Sequence, residues 1–268
     1  MFTLFAAKPL LNEDESQWIF DTFHWALTYF DKDEFFQRCR LIQPTDQYFK
    51  GQVDSHKALA QTVFECSVKY AGLQHWPLQL QHPDQYTNQS AELMVLDNIA
   101  DALKRDSQTN NLTKLFSPQP IVLTYNRHQT GKPEDLAATF ASHFAQHLIA
   151  QSQQLPPGGP NLFVESSEVL AVFMGFGVMM CNSAYTYRGG CGSCYNAQAN
   201  RLASLTEDKI VFALALFCKL KNIPHKQAMK HLKKYLRSLY KQAAEQIDKE
   251  PEKVQHLLDL NVQKQPIK

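Results

Sequence analysis

A continuous apolar segment in the second half of the chain most constrains the fold. Every residue from Leu170 to Cys181 is apolar or glycine. A helix that is apolar on all sides has to be buried, so the segment predicts a core helix from about Ser167 to Ser183. It is interrupted by glycines and is shorter than the roughly 20 residues that span a bilayer. We therefore expect no membrane segment here.

The flanking sequence predicts further helices and two short strands. Ser16 is a plausible N-cap for a first helix, Ser55 and Gly72 are typical ends of a second, and Pro133 suits the first turn of a third. Residues 76–80 and 120–125 have the alternating or β-branched character of strands. The fold class predicted is α+β, mainly α, with a small β-sheet.

The chain length fits a single domain. Its 268 residues can bury a substantial core. We assign residues 1–268 to one domain, with a helical N-terminal part (1–115), a central part that holds the strand and the core helices (116–245), and a polar C-terminal tail (246–268).

Charge and cysteine content limit the class of partner and the compartment. The 27 basic residues nearly balance the 26 acidic ones, which gives no reason to expect nucleic acid or an anionic membrane as the partner. The first residues do not resemble an export signal, and six scattered cysteines in a chain of this size favour reduced thiols. We expect a cytoplasmic protein.

Two histidines carry the clearest chemical signal. His143 and His147 lie four residues apart in the helix that begins at Pro133. This spacing places both imidazoles on one face, one turn apart, where they can bind one zinc ion. A lone pair at this spacing is also common on helix surfaces and in cores, so zinc is a possible cofactor rather than a required one.

The residue between the histidines argues against hydrolysis. In the motif H-E-x-x-H, the glutamate is the general base that activates the water on the metal. Here Phe144 occupies that position. Loss of a general base typically costs about 100- to 10,000-fold in rate. We therefore assign no catalytic residue to the motif itself.

The order of segments resembles a family of uncharacterised bacterial zincin-like proteins, related to gluzincin-type metallopeptidases. The resemblance covers most of the chain and is strongest in LAVFMGFGVMMCNSA. Its other segments are WIFDTFHWALTYF, RLIQPTDQYF, HKALAQTVFECSVKYAGL, PIVLTY, PEDLAATFASHFAQHLIA and LTEDKIVFALALF. The resemblance implies a zincin-like fold and a metal site, not a particular reaction.

The same resemblance implies a third metal ligand on the helix after the histidines. The family has a ligand glutamate there, followed one turn later by an aspartate. Val164 falls at the glutamate position, Glu165 one residue beyond it, and Glu168 at the aspartate position. The third ligand implied is therefore Glu165 or Glu168, or it has been lost.

Two other features have ordinary explanations beside functional ones. Cys191 and Cys194 form a C-x-x-C pair that could bind metal or undergo redox chemistry, but no second pair accompanies it. Tyr185, soon after the apolar helix, could polarise a substrate carbonyl, although a surface position is the simpler interpretation. The basic helix of residues 225–247 is typical of a solvated face over an apolar stripe.

The leading hypothesis is a degenerate zinc-metallopeptidase-like pseudoenzyme. It retains divalent-metal binding at His143 and His147 and has a binding or regulatory role toward a protein or peptide partner. One alternative is an active metallohydrolase with a displaced carboxylate base. The other is a metal-free structural or interaction protein, in which Phe144 fills the former cleft.

Overall fold

The computed structural model describes residues 8–51, 53–84, 96–109, 111–185 and 200–261. Within them the chain is mainly helical. The helices are α1 (Glu13–Tyr29), α2 (His56–Ala71), α3 (Ile99–Ala102), α4 (Pro133–Ser152), α5 (Phe163–Ala171), α6 (Gly177–Ser183), α7 (Glu207–Leu220), α8 (His225–Met229), α9 (Leu236–Asp248) and α10 (Pro251–Asp259). The mainly α, α+β class predicted from the sequence is confirmed.

Two short strands form the sheet in the described part of the chain. β1 (Leu78–Leu80) and β2 (Ile121–Leu123) pair in parallel, with Leu78 opposite Ile121. Both lie in segments predicted as strands. Parallel neighbours require a crossover connection, and the chain between β1 and β2 includes α3.

Helix ends with strong local signals lie where the sequence predicted them. The Ser55 side chain accepts a hydrogen bond from the Ala58 N–H, and Gly72 ends α2 in the left-handed region at φ 75°. Pro133 is in the first turn of α4. The first helix differs: its N-cap is Asn12, which forms a capping box with Glu15, rather than Ser16.

The apolar segment is buried as expected but is not one regular helix. α5 and α6 are joined by a π-helical stretch, Val172–Phe176, in which Gly175 has φ 98°. The Gly175 carbonyl accepts a hydrogen bond from the Ile42 N–H at 3.0 Å. A Cβ at Gly175 would lie 2.2 Å from the Arg40 carbonyl oxygen, so the close approach of the 39–42 segment requires glycine there.

The described residues include one stretch long and apolar enough to cross a membrane, Gly159–Ser183. Of its apolar window, 78% is buried inside the fold. Its residues belong to a single apolar core that extends from Leu11 in the N-terminal segment to Leu257 in α10. Such burial is typical of the core helix of a soluble protein.

The C-terminal third departs from the predicted layout in two places. The helix expected over residues 225–247 is divided into α8 and α9, and the Lys233 N–H between them donates to Asn182 Oδ1. The expected polar tail contains α10, whose Val254 and Leu257 are buried in the core. Both differences depend on contacts with distant parts of the chain.

Candidate site at the histidine pair of α4

α4 presents the two histidines close to its middle. Pro133 and two acidic residues, Glu134 and Asp135, form its first turn, where proline and negative charge are favourable. The helix ends at Gln153, which adopts left-handed φ 53°. His143 and His147 therefore lie in regular helix, one turn apart as the spacing predicted.

Both imidazoles are in a desolvated environment. His147 is 6% exposed and His143 is half-buried. The Nδ1 atom of each ring is buried and has no hydrogen-bond partner among the described residues. Burial lowers the pKa of both side chains, and the proximity of His143 further lowers that of His147, to about 4. Both rings are therefore neutral at pH 7, the protonation state in which imidazole binds metal.

Phe144 belongs to the hydrophobic core. It is fully buried, and its ring centroid lies 6.1 Å from that of Phe64 on α2. Phe64 also meets Phe140 edge-to-face at 5.4 Å. The position that holds the general base in H-E-x-x-H thus faces aromatic packing between α2 and α4, where a carboxylate would be desolvated.

Glu168 of α5 has a complete set of protein partners. Its side chain forms a buried ion pair with Arg201. Its carboxylate also accepts hydrogen bonds from the N–H groups of Ser204 and Leu205, at 3.1 and 2.9 Å. Both oxygens are engaged, as expected of a buried charge in a stable fold.

Arg201 joins Glu168 to a wider polar network. Its Nε donates to the Ser183 hydroxyl at 2.9 Å, and its backbone N–H donates to Asp135 at 3.1 Å. Asp135 also accepts from the Tyr185 hydroxyl at 3.1 Å. Burial raises the pKa of the Asp135 carboxyl. The network links the start of α4, the end of α6 and the segment that precedes α7.

Tyr185 is part of this network rather than an isolated surface residue. The Lys233 ammonium lies 4.2 Å from the centre of its ring, and the Lys132 ammonium lies 5.1 Å away. Burial raises the pKa of the Tyr185 hydroxyl. Cys191 and Cys194, considered as a metal or redox pair, lie outside the described residues.

The structure brings the two histidines together but not a complete ligand set. Zinc takes three or four protein ligands, and the described residues contain no group of three or more histidine, cysteine, aspartate or glutamate side chains able to hold a metal ion. Glu165 is half-buried in the first turn of α5, and its side chain forms no ion pair or hydrogen bond with another described residue. Among the described residues, His143 and His147 therefore remain a candidate pair without a third candidate ligand beside them.

Sequence reasoning did not identify Arg201 as the partner of Glu168. The two residues are 33 positions apart, and Arg201 precedes α7 without any periodic pattern around it. The available signal was the placement of Glu168 beside an apolar run, because a buried carboxylate requires a cation or several donors.

His143 and His147 line none of five surface cavities in the described part of the chain. Comparison of the chain with models of protein families, with curated proteins and with solved structures gives no match.

Proposed function

We propose that this protein is a non-hydrolytic, zincin-like pseudoenzyme of the bacterial cytoplasm that acts by binding a protein or peptide partner. The single observation that carries the proposal is the environment of Phe144. Between two histidines at metal-ligand spacing stands a fully buried aromatic side chain packed on Phe64. A general base has to reach the reacting water, and this position is in the core instead.

The partners of Glu168 support the same proposal. The ion pair with Arg201 and the hydrogen bonds from two backbone N–H groups stabilise the Glu168 carboxylate in its present position. Withdrawing it to bind metal would leave the Arg201 guanidinium buried and unpaired, at a cost of about 3–5 kcal/mol. Recruiting Glu168 as a third ligand is therefore unfavourable.

A second candidate function is weak binding of a divalent metal by the histidine pair alone. The observation that favours it is the buried, unpartnered Nδ1 atom of each imidazole. A buried polar atom without a partner costs free energy. A bound metal ion or a hydrogen-bonding partner at the ring nitrogen would reduce that cost. With two protein ligands, the other coordination positions of the metal ion would be filled by water or by a partner protein. We therefore expect the metal to exchange readily and to bind weakly.

The test combines metal content with peptide hydrolysis. The untagged protein, His143→Ala/His147→Ala, and the exposed-histidine control His128→Ala would be dialysed against zinc and analysed for bound metal. Each would then be incubated with a mixture of unstructured peptides. We expect no hydrolysis by any protein, and substoichiometric zinc that is lost in the double variant only.

Three results would contradict parts of this proposal. Hydrolysis by the wild-type protein that disappears in Glu165→Gln would establish a displaced carboxylate base and an active enzyme. Equal zinc content in all three proteins would place the metal elsewhere. Absence of zinc from all three would leave a metal-free interaction protein, the remaining alternative.

A further inference from the structure

A cationic cavity lies on the described surface, outside the histidine pair. Its volume is about 310 Å³, near the lower end of the range for small-molecule sites. It is formed where the segment after α1 meets the end of α2 and the segment after α3. We call it the basic cavity; its lining residues are Arg38, Arg40, Ile42, Lys69, Tyr70, Ser107 and Gln108.

The described residues of the lining include three cations and no carboxylate. Arg38 is partly neutralised, because its Nε donates to Glu34 at 2.6 Å. Arg40 and Lys69 are exposed and form no ion pair or hydrogen bond through their side chains with any described residue. Two positive charges at the mouth of the cavity are thus left without a protein counter-ion.

The acidic residues next to the cavity wall accept hydrogen bonds from groups other than Arg40 and Lys69. Asp31 accepts from the N–H groups of Glu34 and Arg105, at 2.8 and 3.1 Å. Glu34 accepts from Arg38 and from the Ser107 N–H. Asp106 accepts from three backbone N–H groups of its own loop. These carboxylates stabilise the wall and do not line the cavity.

A fourth cation is buried beside the wall. Arg105 is 2% exposed, and none of its three guanidinium nitrogens has a hydrogen-bond partner in the described part of the chain. Its guanidinium carbon lies 5.6 Å from the centre of the Phe173 ring, and its carbonyl accepts from Arg38 Nη2 at 3.5 Å. Unpaired buried charge is costly, so an anion bound nearby would stabilise this region.

The helix dipole explains the position of only one of the two exposed cations. Lys69 lies in the last turn of α2, where a cation offsets the negative end of the helix dipole. Arg40 lies outside any helix. Its charge at the mouth is not explained by a dipole or by a protein anion.

We propose that the basic cavity binds a small molecule that carries a phosphate group. Arginine forms paired hydrogen bonds with phosphate oxygens, and lysine adds a point charge. Ser107 offers a hydroxyl at the same wall, where Gln108 Nε2 donates to the Arg38 carbonyl at 3.0 Å, and buried Ile42 also lines the cavity. This site is separate from the histidine pair, and the proposal does not depend on the function proposed above.

The test measures phosphate binding by calorimetry at constant ionic strength, maintained with chloride. The probes are inorganic phosphate, glycerol phosphate and acetate. The variants are Arg40→Gln/Lys69→Gln, which changes two exposed side chains, and Lys57→Gln, at the opposite, N-terminal end of α2. Circular dichroism establishes that each variant is folded.

We expect both phosphate probes to bind the wild-type protein and the Lys57→Gln control alike. Loss of two charge-assisted contacts should weaken binding by at least about tenfold in Arg40→Gln/Lys69→Gln. Tighter binding of glycerol phosphate than of inorganic phosphate would identify the ligand as an organic phosphate. No binding of either phosphate, equal binding by the double variant, or a preference for acetate would overturn the proposal.

Discussion

Two buried polar groups on neighbouring helices differ in how they are satisfied. On α5, the Glu168 carboxylate has an ion pair and two backbone donors. On α4, the imidazoles of His143 and His147 have buried Nδ1 atoms that no described residue contacts by a hydrogen bond. In a zinc site, carboxylate and imidazoles would share one ion. Here the carboxylate is paired with arginine and the imidazoles are left neutral and desolvated.

The difference shows which kind of buried polar group requires a charged partner inside the protein. A buried anion needs a counter-charge, and Arg201 supplies it within the protein. A neutral imidazole needs no counter-charge and costs only its unmade hydrogen bonds. The histidines can therefore persist without metal, whereas Glu168 cannot persist without a cation.

The largest effect should follow from introducing a carboxylate between the histidines. Phe144→Glu removes a fully buried ring and places a charge beside Phe64. We expect a loss of about 5 kcal/mol or more in the free energy of unfolding, since cavity formation and charge burial both contribute. Urea denaturation would measure it, with Phe144→Leu as a control that should cost about 1–2 kcal/mol. A stable Phe144→Glu protein that hydrolyses peptides would place this position in a cleft.

Removing the counter-charge of Glu168 should be the next largest change. Arg201→Met leaves the carboxylate buried and unpaired, which should cost about 3–5 kcal/mol. In Glu168→Gln/Arg201→Met the charge is absent, and the amide oxygen still accepts from the N–H of Ser204 or Leu205. The double variant should therefore be more stable than Arg201→Met in the same urea experiment. Additive losses would mean that the two side chains do not interact.

Acidification should destabilise the fold by protonating the two histidines of α4. His147 has a pKa of about 4 in the folded state against 6.5 in a model peptide, and that of His143 is also lowered. The unfolded chain then binds more protons below pH 6.5, so stability is full above that pH. It should fall between about pH 6.5 and 4, by up to about 3 kcal/mol for His147 alone.

The variant His143→Gln/His147→Gln isolates this dependence from other titrating groups. Its free energy of unfolding should change less between pH 7 and 4.5 than that of the wild-type protein. The exposed-residue control His128→Gln should retain the wild-type slope. Equal slopes for all three proteins would show that neither buried imidazole resists protonation.

The sequence was most informative where structure depends on neighbouring residues. The start of α2 at Ser55, its end at Gly72 and the first turn of α4 at Pro133 each follow from local backbone chemistry. The sequence was less informative where contacts between distant residues determine the local structure. The break at Gly175 needs the approach of residues 39–42, and the break before α9 coincides with a bond to Asn182.

The candidate site also has features that were predictable from local sequence and features that were not. The helix and spacing of His143 and His147 were predicted because both residues lie within two turns of one helix. The pairing of Glu168 with Arg201 was not, because it joins residues far apart in the chain. The burial of Phe144 against Phe64 depends on how α2 and α4 pack. A motif therefore locates ligand positions, while the packing around them decides whether the ligands converge.

The smallest effect should come from added zinc. A site with two protein ligands should stabilise the fold by only about 0.4 kcal/mol when free zinc equals its Kd. The small rise in Tm, measured by differential scanning calorimetry at pH 7.5, should be absent in His143→Ala/His147→Ala. It should persist in Glu168→Gln, because that carboxylate is held by Arg201. If Glu168→Gln abolished the rise, the carboxylate would exchange arginine for metal, and the two groups would be parts of one site.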